Sequence, residues 1–474
     1  MSAAQRFAEI SAAAGEKGAR AGLGRAVVLG GSVAVLMAAR ALSDHAAEVV
    51  IVERDDLRAL DVPDARLAAD PVGAVAPRPG VPQGAHVHAL LPSGQAQLER
   101  WFPGFEAAAR AAGAPEQPPG TGRFIMDGHA GAEPSESLGV KALASSRPFL
   151  EALIRHRVLA LPNVRTLQGR ADGLAIAGGK VIGVRYVPAG AETAEDLTAD
   201  FVVDATGRSS RLGDWIEGYG FPRPPMQRMN IQLNYATAKF HRPAGATVWS
   251  CISITTPGDG RTPRIGGFTP IEGDRWTMLV SGYADDKPTR DRDDYVRRCK
   301  EHFPPEFGEV ATTAPWAGEV ATYHQADSRR RDFDELDRFP ARLVVAGDAV
   351  ASFNPVYGQG MTSAMLHASC LALHLRGNPD LDLPARGYFT DVRVVVDAAW
   401  QTSTVADLGL PHVDGPYPPG YRLLRRVSGL IFGAAGRDAV VGRQIARVTT
   451  MLAHPGSLAT PGILVRALRA SLKR

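Results

Sequence analysis

The sequence predicts an α/β protein in which a Rossmann-type dinucleotide-binding domain is combined with an antiparallel β-sheet domain and a helical C-terminal region. Residues 26–53 have the pattern of a strand, a glycine turn, a helix and a second strand. Residues 226–283 alternate apolar and polar side chains in several short runs, as strands with one buried face do. The residues beyond 376 have mostly helical periodicity, which completes the predicted architecture.

Length and composition limit the classes of protein to consider. The 474 residues exceed what a single hydrophobic core usually spans, so we expect two or three structural units that share one ligand crevice. With 45% hydrophobic and 22% charged residues, the composition is that of an ordinary globular protein. The 53 basic and 50 acidic residues form no basic stripe, which argues against nucleic acid as a partner and favours a small molecule.

The cysteines and the N-terminal residues exclude other classes. Cys251, Cys299 and Cys370 are far apart and lack metal-ligand spacing, so neither a disulfide framework nor a metal site is expected. The first 24 residues lack the continuous apolar segment of a secretory signal and are expected to form a loose tail or a short helix. The apolar stretch 25–40 is too short to cross a bilayer, which needs about 20 apolar residues. These features predict a cytoplasmic protein without a transmembrane span.

The turn after the first strand has part of a dinucleotide-binding fingerprint. Gly30, Ser32 and Val35 occupy its three glycine positions, so only the first is a glycine, and Gly31 adds local freedom. The first glycine permits a tight turn, and a small second residue lets the backbone approach a pyrophosphate. Glu53 follows Gly30 by 23 residues, near the spacing of about 20 at which a carboxylate binds ribose hydroxyls. Taken alone, this motif leaves an ordinary βαβ turn as an equal alternative.

Several elements are predicted between this unit and the β-sheet domain. Residues 61–92 are rich in Pro and Gly and predict a long loop that wraps a ligand. A helix is expected from Arg147, with Ser145 and Ser146 as candidate caps. Residues 173–187 predict a β-hairpin, and residues 197–204 predict a buried strand that returns to the first sheet.

The β-sheet domain contains the candidates for substrate contact. Its apolar face is expected to carry Met229, Ile231, Leu233 and Tyr235, and its polar face Asn230, Gln232 and Asn234. The aromatic residues of the region are candidates for the apolar wall of a substrate pocket, although core packing is favoured over ligand contact. These candidates are Tyr235, Trp249, Phe268 and Trp276.

Two further motifs follow buried strands. In DATGRSSRLGDWI, Asp204 and Gly207 end a strand, and a serine-rich segment opens the next element. In GDAVASFNPVYGQGM, Gly347 and Asp348 leave a strand, and Gly358 precedes a helix that is predicted for residues 361–375. Backbone amides at the start of that helix would favour a flavin that carries negative charge near its N1 and O2 edge.

These segments, in this order, resemble class A flavin monooxygenases, the family of para-hydroxybenzoate hydroxylase, and their squalene-epoxidase-like relatives. The combination of RPGVPQGAHVHALL, SSRPFLE, VVDATGRSSRL and GDAVASFNPVYGQGM with a helical tail is most similar to bacterial flavin epoxidases of polyether biosynthesis, of the monensin and lasalocid type. The resemblance runs from about Arg25 past Leu375 and implies a para-hydroxybenzoate hydroxylase-like fold with bound FAD.

The resemblance also implies how the chain is divided. An FAD-binding domain would comprise residues 25–105, 141–215 and 326–376. The substrate domain would comprise an insertion at 106–140 and the β-sheet at 216–325, and residues 377–474 would form the helical C-terminal region.

By the same resemblance, Arg147 would contact the FAD, Asp348 its ribityl-pyrophosphate region, and Gly358 to Met361 its isoalloxazine ring. Ala85 and Val35 depart from the family pattern, which often has Arg and Gly at these positions. The residues expected to bind FAD are Gly30, Gly31, Ser32, Val33, Ala34, Glu53, Arg54, Gln83, His86, Arg147, Asp204, Gly207, Gly347, Asp348, Pro355, Gly358, Gln359, Gly360 and Met361.

Two clusters have competing interpretations. His86 and His88 would point the same way on a strand and could meet the flavin or the substrate, but structural hydrogen bonding is favoured over catalysis. Arg329, Arg330 and Arg331 could bind an acidic substrate, but a solvated surface paired with the neighbouring aspartates is favoured.

The implied activity is that of an FAD-dependent monooxygenase. NADPH or NADH would reduce the FAD, directly or through a separate flavin reductase, and the reduced flavin would capture dioxygen as a C4a-hydroperoxide. One oxygen atom would then pass to an alkene of an apolar polyketide. Because this epoxidation needs no strong side-chain base, no catalytic residue is predicted. The alternatives are hydroxylation of an aromatic polyketide, reduction of isoprenoid double bonds, and a redox-neutral cyclase or binding protein that keeps FAD as a structural cofactor.

Overall fold

The computed structural model describes residues 1–15, 22–118, 120–132, 138–140, 142–246, 248–256 and 262–472. In these residues the strands are β1 (Leu23–Leu29), β2 (Ala46–Glu53), β3 (Gly122–Met126), β4 (His129–Ala132), β5 (Val164–Ala177), β6 (Lys180–Pro188), β7 (Glu195–Thr198), β8 (Phe201–Asp204), β9 (Met226–Met229), β10 (Leu233–His241), β11 (Ser250–Thr255), β12 (Arg264–Ile271), β13 (Arg275–Tyr283), β14 (Ala321–Gln325), β15 (Ser328–Arg331), β16 (Leu343–Val345) and β17 (Ala351–Ser352). The α-helices are α1 (Ala3–Ala12), α2 (Val33–Leu42), α3 (Asp64–Ala69), α4 (Pro92–Trp101), α5 (Phe105–Ala111), α6 (Arg147–Leu159), α7 (Leu212–Glu217), α8 (Arg292–His302), α9 (Pro305–Thr313), α10 (Gln359–Arg376), α11 (Arg386–Asp407), α12 (Tyr421–Gly433), α13 (Ala439–Thr449) and α14 (Pro461–Leu472).

The first sheet has the strand order β16-β8-β1-β2-β5-β6-β7. The pairs β16–β8, β8–β1, β1–β2 and β2–β5 are parallel, and β5–β6–β7 is antiparallel. The predicted βαβ unit, the hairpin and the returning strand are therefore confirmed. Because β1, β8 and β16 are parallel neighbours, the residues that follow them lie together at one edge of the sheet, where ligands bind in folds of this type.

The second sheet has the order β14-β10-β13-β12-β11-β3-β4. Its pairs are antiparallel except β11–β3, which is parallel. Helices α8 and α9 contribute to a second hydrophobic core on one face of this sheet, separate from the main core around the first sheet.

The predicted antiparallel sheet over residues 226–283 is wrong at its first strand. Strand β9 pairs with β15, which also pairs with β17, in a separate three-stranded sheet. Strand β9 ends at Met229, and Gln232, whose φ of 46° lies in the left-handed region, separates it from β10. Strand β10 is the first of this stretch to join the second sheet.

The segments expected to be irregular contain more structure than predicted. The region 61–92 includes helix α3 and the single-turn helix Pro82–Ala85. At the N-terminus the predicted short helix is confirmed: α1 buries Phe7 and Ile10 in the main core. The helix predicted from Arg147 is also confirmed, and the Ser146 side chain accepts a hydrogen bond from the amide of Phe149.

The C-terminal region is helical, as predicted. Helix α11 packs on the main core, whereas α12, α13 and α14 form a small core of their own. Among the described residues, no helix has both the length and the apolar composition needed to cross a bilayer.

Candidate functional site

The three sequence motifs meet where β1, β8 and β16 end. Gly30 has a φ of 110°, and a Cβ atom on it would lie 2.7 Å from the carbonyl oxygen of Ala205. Gly347 has a φ of 64°, and a Cβ atom on it would lie 2.6 Å from the Cβ of Ala34. A side chain at either glycine would push these segments apart, so the two glycines permit the close approach of the three motifs.

The N-terminus of α2 lies beside a buried guanidinium group. The Ser32 side chain makes no capping hydrogen bond to α2. Instead, its Oγ accepts a hydrogen bond of 2.7 Å from Nη2 of Arg147, which is 5% exposed. The same guanidinium pairs with Glu151 on the next turn of α6 at 3.1 Å. Because a helix N-terminus and a guanidinium both attract anions, this arrangement suits a phosphate group.

Glu53 lies across the first turn in a buried ionic network. A Cβ atom on Gly31 would lie 2.5 Å from Cγ of Glu53. Arg78 contacts Glu53 at 3.4 Å, Asp55 at 2.6 Å and Glu151 at 2.7 Å. Burial raises the pKa of Glu53, and the charge of Arg78 opposes this rise. Nη2 of Arg78 is buried without a hydrogen-bond partner among the described residues, which leaves a donor for a ligand.

Sequence reasoning missed Arg78. The residue lies in the Pro- and Gly-rich segment, where no periodicity marks a side chain as inward-facing. The available signal was its place as the first residue of the segment RPGVPQGAHVHALL, on which the family resemblance partly rests. Arg78 brings a guanidinium to Glu53 from the same segment of the chain.

Other residues of the predicted FAD-binding set differ in their exposure to solvent. Val33 and Met361 are buried, and Pro355 is exposed. Arg54 is also exposed, and Gln83 is half-buried in its single-turn helix.

The carboxylate of Asp204 is used within its own loop. Oδ1 accepts hydrogen bonds from the amide and the hydroxyl of Thr206, at 3.0 and 2.6 Å. Oδ2 accepts a hydrogen bond of 2.5 Å from the Ser210 hydroxyl. Asp204 therefore shapes the turn that contains Gly207, whose φ is 82°.

Gly347 is held by a histidine that sequence reasoning also missed. Its amide donates a hydrogen bond of 3.0 Å to Nδ1 of His367. Burial lowers the pKa of His367 to about 3, so this nitrogen remains an acceptor at neutral pH. His367 lies on the buried α10, where the sequence pattern does not distinguish it from a core residue.

The third motif, GDAVASFNPVYGQGM at residues 347–361, ends in a loop that returns to Asp348. After the single-turn helix Pro355–Tyr357, Gly358 has a φ of 66° and precedes α10. Oε1 of Gln359 is buried and lacks a hydrogen-bond partner among the described residues. A Cβ atom on Gly360 would lie 4.0 Å from Oδ1 of Asp348, so the loop and the carboxylate are neighbours.

His86 and His88 do not lie on a strand, because residues 86–91 are irregular. Nδ1 of His86 lies 2.9 Å from Oγ1 of Thr237, and its ring packs edge-on against Tyr235 at 4.8 Å. Nδ1 of His88 lies 3.0 Å from the carbonyl oxygen of His86. Burial lowers the pKa of His86 to about 4 and that of His88 to about 3, so both rings are neutral at neutral pH.

The aromatic candidates of the second sheet lie on opposite faces. Phe268 and Trp276 belong to the core that includes α8 and α9, with ring centroids 5.2 Å apart. Trp249 packs against Phe268 at 4.4 Å. Tyr235 and Thr237 lie on the other face of β10 and contact His86, because alternate residues of a strand point to opposite faces. Of the four candidates, Tyr235 lies on the face that packs against the segment with His86 and His88.

The predicted surface cluster of arginines is paired with carboxylates only in part and is not all at the surface. The side chain of Arg330 is 7% exposed and contacts both Asp332 and Asp397 at 2.6 Å. Arg329 pairs with Asp327 at 2.8 Å. The carboxylate pairing is thus confirmed for Arg329 and Arg330, whereas Arg331 donates hydrogen bonds to the carbonyl oxygens of Ala349 and Arg208. The solvated position is wrong for Arg330, because β15 lies between β9 and β17.

A residue of the helical C-terminal region contacts the loop of the third motif. Oδ1 of Asp407 accepts hydrogen bonds of 2.9 Å from Nδ2 of Asn354 and from the hydroxyl of Tyr357. Nδ2 of Asn354 also lies 3.2 Å from the hydroxyl of Tyr283 on β13. Asp407 is 1% exposed, and burial raises its pKa from 3.8 to about 7.

This pKa gives a testable dependence of stability on pH. Since the folded protein binds the Asp407 proton more tightly than the unfolded chain, the contribution of this group to stability falls as the pH rises from about 4 to about 7. Asp407→Asn keeps the shape of the side chain without the charge. We expect the Tm of this variant, taken relative to the parent at the same pH, to be several degrees higher at pH 8 than at pH 5. Differential scanning fluorimetry at the two pH values measures this. A Tm difference that is the same at both would contradict it.

Asp391→Asn is the matched control. Asp391 is a buried carboxylate of the same helix, 6% exposed, but it is paired with Arg6 at 2.6 Å. Its replacement should lower the Tm at both pH values, because the variant leaves a guanidinium without its partner.

The assembled groups fit FAD. The α2 N-terminus with Arg147 suits the pyrophosphate, and Glu53 suits the ribose hydroxyls. The unpartnered Nη2 of Arg78 offers a donor, and the unpartnered Oε1 of Gln359 offers an acceptor for a flavin N–H group. Asp348 adds a carboxylate. Burial raises its pKa, although the charges of Arg208 and Arg147 oppose this rise.

Comparisons with known proteins agree with this fit. Residues 174–379 match the FAD binding domain family. The chain is 31% identical over 462 residues to Protein Rv3254 of Mycobacterium tuberculosis (strain ATCC 25618 / H37Rv), covering 94% of both chains.

Solved structures of flavoproteins have the same fold. The flavin-dependent brominase Bmp2 superposes with a TM-score of 0.63 at 16% identity, covering 94% of this chain and 98% of that one. PqsL, described as a probable FAD-dependent monooxygenase from Pseudomonas aeruginosa, superposes with a TM-score of 0.57 at 18% identity, covering 81% and 97%. The chain thus has an FAD-binding domain of the para-hydroxybenzoate hydroxylase-like fold, and it belongs to the same protein family as Protein Rv3254.

Proposed function

We propose that this protein is an FAD-dependent monooxygenase that epoxidises an alkene of an apolar, polyketide-type natural product. The observation that carries the proposal is the face of β10 with Tyr235 and Thr237, which packs against the segment of His86 and His88 beside Gly358 of the third motif. His86 and His88 are neutral, and Tyr235 and Thr237 are almost fully buried beside them. A surface of this kind suits an apolar substrate and the exclusion of water.

When bound, FAD would supply two-electron redox chemistry and the activation of dioxygen. The protein would hold it through the groups described above. Arg147 and the α2 N-terminus would bind the pyrophosphate, Glu53 and Asp348 would orient the sugar and ribityl hydroxyls, and Gln359 would face the ring. The sheet face with Tyr235 would place the alkene.

The overall reaction would consume one alkene, one O2, one NAD(P)H and one proton. It would produce the epoxide, NAD(P)+ and water, so one oxygen atom enters the substrate and the other leaves as water. Electrons would come from NADPH or NADH directly or through a flavin reductase. This reaction needs no strong protein base, and with pKa values of about 4 and 3, His86 and His88 would be weak bases.

Hydroxylation of an aromatic polyketide is the second candidate, and Lys239 favours it. This residue is two positions from Thr237 on β10 and therefore lies on the same face of the strand. Burial lowers its pKa, and a lysine cation there would stabilise the phenolate that ring hydroxylation requires.

The test uses the purified protein and two kinds of probe substrate, a long-chain alkene and a naphthol. We expect flavin absorption bands, bleaching by NADPH under nitrogen, and one 18O atom from 18O2 in an epoxide detected by mass spectrometry. Repeating the assay with an added flavin reductase separates the two electron sources. Oxygen uptake that produces only hydrogen peroxide with every alkene tested would count against the epoxidase.

Lys239→Met distinguishes the two candidates. Epoxidation should be almost unchanged in this variant, whereas hydroxylation of a phenol should fall by about 10-fold or more because the phenolate loses its counter-charge. A protein that binds FAD but is not reduced by NADPH, NADH or a flavin reductase would instead support the redox-neutral alternative.

A further inference from the structure

We propose that helices α12, α13 and α14 form an interfacial binding surface for an anionic lipid bilayer. The inference does not depend on the proposed reaction. It rests on the charge, the exposed apolar side chains and the packing of residues 421–472.

The charge of this segment differs from that of the remaining chain. Residues 421–472 contain eight arginines and a single acidic residue, although the whole chain has a net charge of only +3. The remaining chain therefore has four more acidic than basic residues. All eight arginines are exposed, and they are Arg422, Arg425, Arg426, Arg437, Arg443, Arg447, Arg466 and Arg469.

Most of this positive charge is not neutralised within the protein. Asp438 is the acidic residue of the segment, and it pairs with Arg466 at 3.0 Å. The same carboxylate caps α13 by accepting hydrogen bonds from the amides of Val440 and Val441. In the part of the chain that the structure describes, the other seven arginines have no carboxylate within ion-pair distance.

Large apolar side chains are exposed on the same helices. Residues 421–472 hold seven of the sixteen exposed large apolar side chains of the described residues, although they are about a ninth of the chain. On α14, Val465, Leu468 and Leu472 are 47, 52 and 75% exposed and follow the i, i+3, i+7 spacing of one helical stripe. On α12, Leu423 is 67% exposed.

The core within the segment is small for the number of large apolar residues that its helices carry. Three of the six buried core residues are Ala434, Ala467 and Ala470, whereas leucines such as Leu423 and Leu468 point outward. Exposing large side chains while small ones are buried leaves apolar area that the described residues do not cover.

A lipid surface is the occupant that suits both properties. Helices that carry arginines beside large apolar residues bind at the boundary between headgroups and acyl chains, and anionic headgroups attract the guanidinium groups. A second copy of this surface would bring like charges together. Nucleic acid would neutralise the arginines but offers no hydrocarbon to the leucines.

The test is flotation of the full-length protein with extruded vesicles of phosphatidylcholine alone or with 30% phosphatidylglycerol. We expect binding to the anionic vesicles that weakens as the salt concentration rises, and little binding to the neutral vesicles. Replacing Arg422, Arg425 and Arg426 by glutamine should weaken binding by about 100-fold. Leu423→Ser with Leu468→Ser should weaken it by at least about 30-fold, because the two side chains lose burial in hydrocarbon.

Matched controls come from other surfaces of the protein. Ile182 and Leu383 are 46 and 60% exposed, so the double variant Ile182→Ser and Leu383→Ser removes similar apolar area elsewhere and should bind like the parent. Thermal unfolding of each variant checks that the fold is retained.

Two outcomes would overturn the inference. In one, the leucine variants bind the anionic vesicles as the parent does, which would mean that the helices do not enter the bilayer. In the other, the parent protein does not bind vesicles but forms dimers in sedimentation analysis, and the leucine variants are monomeric. That result would assign the surface to a second copy of the chain.

Discussion

Arg147→Ala is expected to weaken the binding of FAD to the apoprotein by about 100-fold, because a charge-assisted hydrogen bond to a buried phosphate contributes about 1.5–3 kcal/mol. Glu151 would keep its ion pair with Arg78, so the variant should still fold. Arg147→Lys should lose less affinity than Arg147→Ala, because lysine keeps the positive charge. Some loss should remain, because lysine lacks the planar guanidinium that also reaches Ser32. Isothermal titration of the apoprotein with FAD measures these differences.

Arg157→Ala is the control for this experiment. Arg157 lies on the same helix but pairs with Asp64 at 2.9 Å, away from the Ser32 turn. The Arg157→Ala variant should bind FAD with the affinity of the parent. If Arg147→Ala also retained the parent's affinity, Arg147 would be a structural tie between α6 and the first turn and not a ligand for the pyrophosphate.

Val35→Gly is expected to destabilise the protein by about 3 kcal/mol, even though it restores the family fingerprint. Val35 is fully buried, and its Cγ2 would lie 3.1 Å from a Cβ atom on Gly30. The side chain thus fills space beside Gly30 that glycine at position 35 would leave empty. Removing it costs burial and cavity energy, and a glycine within α2 adds about 1 kcal/mol.

Val35→Ala separates these contributions, because it creates most of the cavity without the glycine and should cost about 2 kcal/mol. Chemical denaturation of the three proteins measures the free energies of unfolding. FAD affinity should change by less than about threefold in both variants, because the phosphate would meet Ser32 and Arg147 and not the buried valine. A Val35→Gly protein that is as stable as the parent and binds FAD more tightly would show that the valine impairs the cofactor site.

Local patterns were sufficient for much of the fold. The βαβ unit, the hairpin around Gly178 and the helix that begins at Arg147 are short-range features, set by apolar periodicity and by capping residues. The strand β9 was placed in the wrong sheet because alternation reports that a strand has a buried face but not which strand it pairs with. The left-handed backbone at Gln232, which separates β9 from β10, has no mark in the sequence.

The candidate site was predictable only in part. Motif spacing identified Gly30, Glu53 and Gly347, since backbone turns and strand ends leave a signal within a few residues. Arg78, His367 and Asp407 were missed because each acts through a partner that is distant in sequence. For aromatic residues such as Trp276, composition gave no information on which face of the sheet they occupy.

By itself, the sequence determined the α/β class, the three glycine-containing motifs and the helical C-terminal region, because these depend on local periodicity and on backbone turns that only certain residues permit. Tertiary structure decided which side chains meet. The parallel order of β1, β8 and β16 brings the motifs to one edge, the alternation of β10 directs Tyr235 toward His86, and the packing of α12–α14 leaves leucines and arginines exposed. Such contacts join residues that are far apart in the chain, so no local pattern can specify them.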